Sequence, residues 1–89
     1  MKNLFIPLKK EWFLLLESRI KNTEYRAYGP RWNELTCTPG RMATLSLGYN
    51  GRRIERQILA LRIITFSEAP PEAREIYPTA KFIAAIDFN

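Results

Sequence analysis

The chain has no histidine and one cysteine, Cys37. Without histidine, a single chain cannot build a Ser-His-Asp triad, a Cys-His pair or a histidine-ligated metal. One cysteine closes no internal disulfide and cannot supply a multi-cysteine zinc site, so no metal and no bound cofactor are expected. Long apolar runs are lacking as well. The longest clear one is Trp12-Phe13-Leu14-Leu15-Leu16, far below the ~18 residues of a membrane-spanning helix. Near the start, Pro7, Lys9, Lys10 and Glu11 interrupt the apolar stretch before a secretory segment can form. These absences point to a chain at work in a reducing cytoplasm, with no membrane partner. Any catalysis would rest on Lys, Glu, Asp, Ser, Thr, Tyr, Arg or Cys37, and Cys37, flanked by Thr36, Thr38 and Pro39, has no base to activate it.

Acid is also scarce, with nine Asp and Glu against fourteen Lys and Arg and a net charge of +5. Residues 1–33 carry seven basic and three acidic groups, and residues 41–62 carry five and one. Residues 63–89 reverse the sign, with two basic and four acidic groups. Two basic segments and an acidic end suggest an anionic partner, of which nucleic acid is the commonest. Nine of the fourteen cations are arginine, the side chain suited to bidentate phosphate contacts and stacking.

The 89 residues suffice for one domain, 1–89, with a modest core. Asn3 to Ile6 reads as a short strand ended by Pro7. Lys9 to about Arg19 reads as a helix with Leu8, Trp12, Leu15 and Leu16 on its core face. Asn22 to Ala27 should be extended, and Tyr28 to Gly40 is a long connection. Met42 to Tyr49 alternates with Ala43, Leu45, Leu47 and Tyr49 on one face. Asn50-Gly51 then predicts a two-residue hairpin turn that sets Leu47 opposite Ile54. The next strand, Arg52 to about Phe66, is too long to lie flat, and its apolar parity shifts across Ile58 to Leu61, so a bulge or bend is expected there. Pro70-Pro71-Glu72 opens a short helix. Lys81 to Phe88 closes the chain as a strand with Phe82, Ala84, Ile86 and Phe88 on one face. The order predicts an α+β fold: a small β-barrel of about five strands with two peripheral helices.

Polar chemistry is densest over Arg19 to Arg26. On an extended chain Glu24 and Arg26 share a face, and Lys21 can swing onto it from the helix-to-strand junction. A carboxylate between two cations stays ionised and orients both. Tyr25, Tyr28, Trp32 and Tyr49 interleave with Arg26, Arg31, Arg52 and Arg53, the mixture that single-stranded RNA binding uses. The candidate ligand-binding set is therefore Lys21, Glu24, Arg26, Tyr28, Arg31, Trp32, Arg52 and Arg53. Trp32 reads equally well as an anchor plugged into the end of the barrel.

The motif Lys21-x-x-Glu24-x-Arg26, set where the first helix gives way to a strand, resembles the signature Gly-x-Lys-x-x-Glu-x-Arg of the ASCH domain. This is the activating-signal-cointegrator homology domain of the PUA-like superfamily. Arg19 stands at the glycine position. The resemblance covers residues 3–28, and beyond them only the strand order and the proline-opened helix agree. It implies a PUA-like barrel with a cleft beside the signature strand, and a role in binding RNA or a nucleotide-like ligand. Some small members of the wider family are amidohydrolases of acetylated cytidine, in which the lysine works with a threonine three residues later and a distant glutamate. Lys21 is kept here, but Glu24 holds the threonine position. If the chain is such an enzyme, Lys21 and Glu24 would be its catalytic pair, assisted by one of Glu68, Glu72 and Glu75. A third reading is a protein–protein adaptor docking through the acidic C-terminal third or the long hairpin.

Overall fold

A computed structural model describes Met1–Asn89 and shows one five-stranded sheet with two helices. Strand β1 (Leu4–Leu8) leads into helix α1 (Lys10–Glu17) and strand β2 (Thr23–Ala27). After the connection 28–41 come β3 (Met42–Leu47) and the long β4 (Arg53–Thr65). A 3₁₀ turn at Phe66–Glu68, helix α2 (Pro71–Ile76) and β5 (Phe82–Phe88) complete the chain. The sheet order is β1-β3-β4-β5-β2, with β1 parallel to β3 and every other pairing antiparallel. The sheet is mixed and strongly curled, a half-barrel whose two open edges are β1 and β2.

The curl originates in β4. Its first half pairs with β3 (Met42↔Gln57 to Ser46↔Arg53) and its second half with β5 (Ala60↔Asp87 to Thr65↔Phe82). Between them the register slips across Ile58 and Ala60, leaving Leu59 exposed. This is the bulge that the parity shift predicts, and bulges bend and twist the strand that carries them. Ile58 is fully buried at the bend, inside a core of Ile6, Leu8, Phe13, Leu16, Cys37, Ala43, Leu45, Ile86 and Phe88.

Four expectations need correction. Pro7 does not end β1 but lies within it, opposite Ser46; an edge strand tolerates the missing N–H because that side needs no ladder bond. The core face of α1 is Phe13 and Leu16, whereas Trp12 and Leu15 are only half-buried. The hairpin register is Leu45↔Ile54, with Leu47 meeting Arg52. The turn is therefore the four-residue loop 48–51, and positive φ falls on Gly48 (+65°) rather than on Asn50. Finally, β5 lies between two strands and buries both faces over Ile83–Ile86, while Phe82 is exposed. Strict alternation fails where a strand is covered on both sides.

Helix α1 ends with Ser18, after which Arg19 takes φ +63°, the left-handed conformation. The Arg19 N–H donates to the Leu16 carbonyl and the Lys21 N–H to the Leu15 carbonyl, closing the last turn. The guanidinium of Arg19 donates to the Asn89 carbonyl at 2.7 Å. This reversal leads the chain into β2, which pairs along β5 at the edge of the sheet. No helix is long and apolar enough to cross a membrane.

Candidate functional site

Because the sheet does not close, a gap separates β1 from β2, and a cavity of about 190 Å³ occupies it. Pro7 and Leu8 of β1 form one wall, and Glu24, Tyr25 and Arg26 of β2 the other. Trp12 of α1 and Glu72, Ala73, Ile76 and Tyr77 at α2 complete the lining with Lys9 and Lys21.

Arg26 spans the gap. Its Nε donates to Glu24 Oε2 at 2.8 Å and its second terminal nitrogen to the Pro7 carbonyl at 2.6 Å. The alternation of β2 places Glu24 and Arg26 on one face, and both side chains are only about one-seventh exposed (14% and 15%). Burial pushes the Glu24 carboxyl above its ordinary range, and the Arg26 charge opposes that shift. Tyr77 is raised for the same first reason, burial, with Arg26 acting against it. The Trp32 ring lies beneath both Arg26 (4.7 Å to the guanidinium carbon) and Arg31 (5.6 Å) and packs on the core. It is thus a loop anchor that also supports Arg26.

Lys21 faces the solvent side of the same cavity. Its ammonium meets Glu72 Oε1 at 2.9 Å and rides over the Trp12 ring at 4.8 Å and the Tyr25 ring at 5.8 Å. The Lys21 hydrogen bond holds the Glu72 carboxyl below its ordinary range. Of the acids near α2, Glu72 is the one brought to Lys21; Glu68 instead caps the turn at Thr65. The lining thus contains three cations, Lys9, Lys21 and Arg26, and two carboxylates, Glu24 and Glu72. Such a surface offers donors and acceptors in alternation beside flat aromatic walls.

The other candidates lie elsewhere. Tyr28 is exposed and donates its hydroxyl to Glu34. Arg31 reaches only the Trp32 ring. Arg52 forms a two-pronged pair with Glu17 of α1 (2.7 and 3.0 Å) and covers Phe13. Arg53 lies over Phe5 and donates to the Tyr49 carbonyl. Neither Arg52 nor Arg53 lines the cavity. Trp12, expected in the core, packs on it only half-buried and lines the cavity, and Pro7, Ile76 and Tyr77 join the lining without having been expected there. The Phe13/Leu16 spacing carried a signal, since it turns Trp12 toward the rim. Nothing local marks the Pro7 carbonyl or Tyr77, which arrive through long-range packing. No three metal-ligating side chains converge anywhere in the chain.

Fold and site together define a small α+β protein on a five-strand mixed half-barrel, with a largely apolar, aromatic-walled cavity that carries two ion pairs in its open seam. No protein-family model, curated protein or solved structure matches the chain.

Proposed function

We propose that the chain is an RNA- or nucleotide-binding module of the ASCH type, and that the cavity between β1 and β2 receives the ligand. The carrying observation is that Lys21, Glu24 and Arg26, the three residues of the signature, line one cavity beside Trp12, Tyr25 and Tyr77. Aromatic faces suit a planar base, and the mixed donors and acceptors suit its polar edge. Arg19, at the signature's glycine position, holds the left-handed backbone that glycine adopts most readily, which supports the resemblance at its point of departure. Two of its three cations, Lys21 and Arg26, are already paired with carboxylates, so the part of the cavity they line suits a base or nucleoside better than a bare phosphate.

The test is binding of ribonucleosides and their monophosphates, followed by NMR shift perturbation. Shifts should cluster on residues 21–26, Trp12 and 72–77, and Lys21→Ala should weaken them. Absence of binding by any of the four nucleosides would sink the reading.

A second reading has its own observation. Glu72 stands 2.9 Å from Lys21, which supplies the distant glutamate of the amidohydrolase comparison. In that reaction water adds to the acetyl carbon of a 4-acetylcytidine, the C–N bond breaks, and acetate and cytidine leave. The lysine–carboxylate pair would shuttle the proton. Glu24 in place of threonine weighs against it. Release of acetate on incubation with 4-acetylcytidine, abolished in Lys21→Ala, decides between binding and hydrolysis.

A further inference from the structure

A second, more open depression of about 300 Å³ adjoins the cavity, and the two share Pro7, Leu8, Lys9 and Arg26 as a common wall. Its far side is Gly48 and Tyr49 of the β3–β4 loop. We propose that the two concavities are successive nucleotide positions, so that the ligand is a segment of single-stranded RNA rather than a free mononucleotide, with the second base stacked on Tyr49 and the connecting phosphate held by Lys9. This rests on the nucleotide reading of the cavity.

Three features carry it. Tyr49 is 69% exposed, yet its ring has a neighbour to rest on. The ring leans on Phe5 with centroids 6.3 Å apart, and the Tyr49 backbone carbonyl accepts a hydrogen bond from Arg53 at 2.9 Å. An uncovered aromatic face on a supported ring is what base stacking uses. Lys9 is exposed and takes part in none of the four ion pairs of the chain. Lys21 and Arg26, both less exposed than Lys9, are matched by carboxylates. The unmatched cation therefore sits on the wall that any chain leaving the cavity must cross, where a phosphodiester would fall, and the matched ones sit where a base would.

The experiment measures a fluorescein-labelled random-sequence RNA hexamer by anisotropy and the four ribonucleoside monophosphates by NMR titration, each with wild type, Tyr49→Ala, Tyr49→Phe, Lys9→Ala and Lys21→Ala. Tyr49→Ala should weaken the hexamer about tenfold or more while leaving the monophosphates unchanged, and Tyr49→Phe should retain affinity. Lys9→Ala should reduce the slope of log affinity against log salt by about 0.7. Lys21→Ala should weaken both ligands. A Tyr49→Ala protein that binds the hexamer as wild type does, while Lys21→Ala still weakens the monophosphates, overturns the second position and leaves the cavity reading standing. Failure of wild type to bind either ligand overturns both. Because Tyr49 is largely exposed, the melting temperature of Tyr49→Ala should match wild type, which separates a binding loss from a folding one.

Discussion

The guanidinium of Arg26, on edge strand β2, donates to the carbonyl of Pro7, on the opposite edge strand β1, at 2.6 Å. The barrel stays open along this seam, and one side chain bridges it where a ladder of backbone bonds would otherwise run. The same guanidinium holds Glu24. Arg26→Ala should therefore leave a mostly buried carboxylate without its counter-charge. Discounted for the residual exposure of the pair, the expected cost is about 2–3 kcal/mol, a fall in melting temperature of roughly 10 °C or more. Arg26→Lys keeps the charge but cannot reach both acceptors with a planar fork, so about 1 kcal/mol should still be lost. Thermal melts that place Arg26→Ala level with wild type would contradict this account of the seam.

The Lys21–Glu72 pair is more exposed, at 29% and 36%. A double-mutant cycle with Lys21→Ala and Glu72→Ala should give a coupling of no more than ~1 kcal/mol to folding. Arg26 therefore supports the fold, whereas the loss of Lys21 should leave stability almost unchanged. A coupling of several kcal/mol would mean that both are structural.

Stability should fall with acid, and Asp87 should be a main contributor. Its carboxylate accepts from Arg62 at 2.7 and 2.9 Å and from Thr23 at 2.6 Å, and the Arg62 bonds hold it below its ordinary range. A lowered folded pKa stabilises above the unfolded value and is lost as pH falls through the folded one, here below pH ~4. Glu24 runs the other way: with its folded pKa raised by burial, its ionised form costs stability at neutral pH, and that cost fades on acidification. Asp87→Asn should flatten the acid limb of a melting-temperature profile, and Glu24→Gln should steepen it. Identical profiles for all three proteins would refute the assignment.

The loop 48–51 makes unequal demands on its residues. Gly48 holds φ +65°, and a side chain at Gly51 would meet the Leu47 carbonyl oxygen at 2.2 Å. Gly48→Ala should cost about 1 kcal/mol and Gly51→Ala about 1–3 kcal/mol in chemical denaturation. Asn50→Ala should stay within about 0.5 kcal/mol, since Asn50 does not adopt positive φ. A large loss at Asn50 with none at Gly48 would restore the two-residue turn.

Arg19 is the one non-glycine residue with positive φ. Arg19→Gly relieves roughly 1 kcal/mol of backbone cost, partly offset by the lost bond to the Asn89 carbonyl. The net effect should be a melting temperature a few degrees higher. A fall would show that the Asn89 contact outweighs the backbone term.

What the sequence determined by itself was mostly local. Hydrophobic period and turn chemistry located all five strands and both helices, because those signals reside in neighbouring residues. The parity break at Ile58–Leu61 announced the bulge in β4, since one inserted residue shifts which side chains face inward. Spacing alone also put Glu24 and Arg26 on one face. Tertiary structure decided what depends on distant partners. The hairpin turns at Gly48, whose positive φ and N–H bond to the Leu8 carbonyl belong to the four-residue loop, rather than at the Asn-Gly pair. Phe13 is fully buried, while Trp12 packs against the core only half-buried and turns its remaining surface to the cavity. Glu72 was chosen over Glu68 and Glu75 by the docking of α2 against a lysine 51 residues away. The cavity itself exists because β1 and β2, successive strands in the chain, end at opposite edges of the sheet and leave a gap that Arg26 bridges to Pro7.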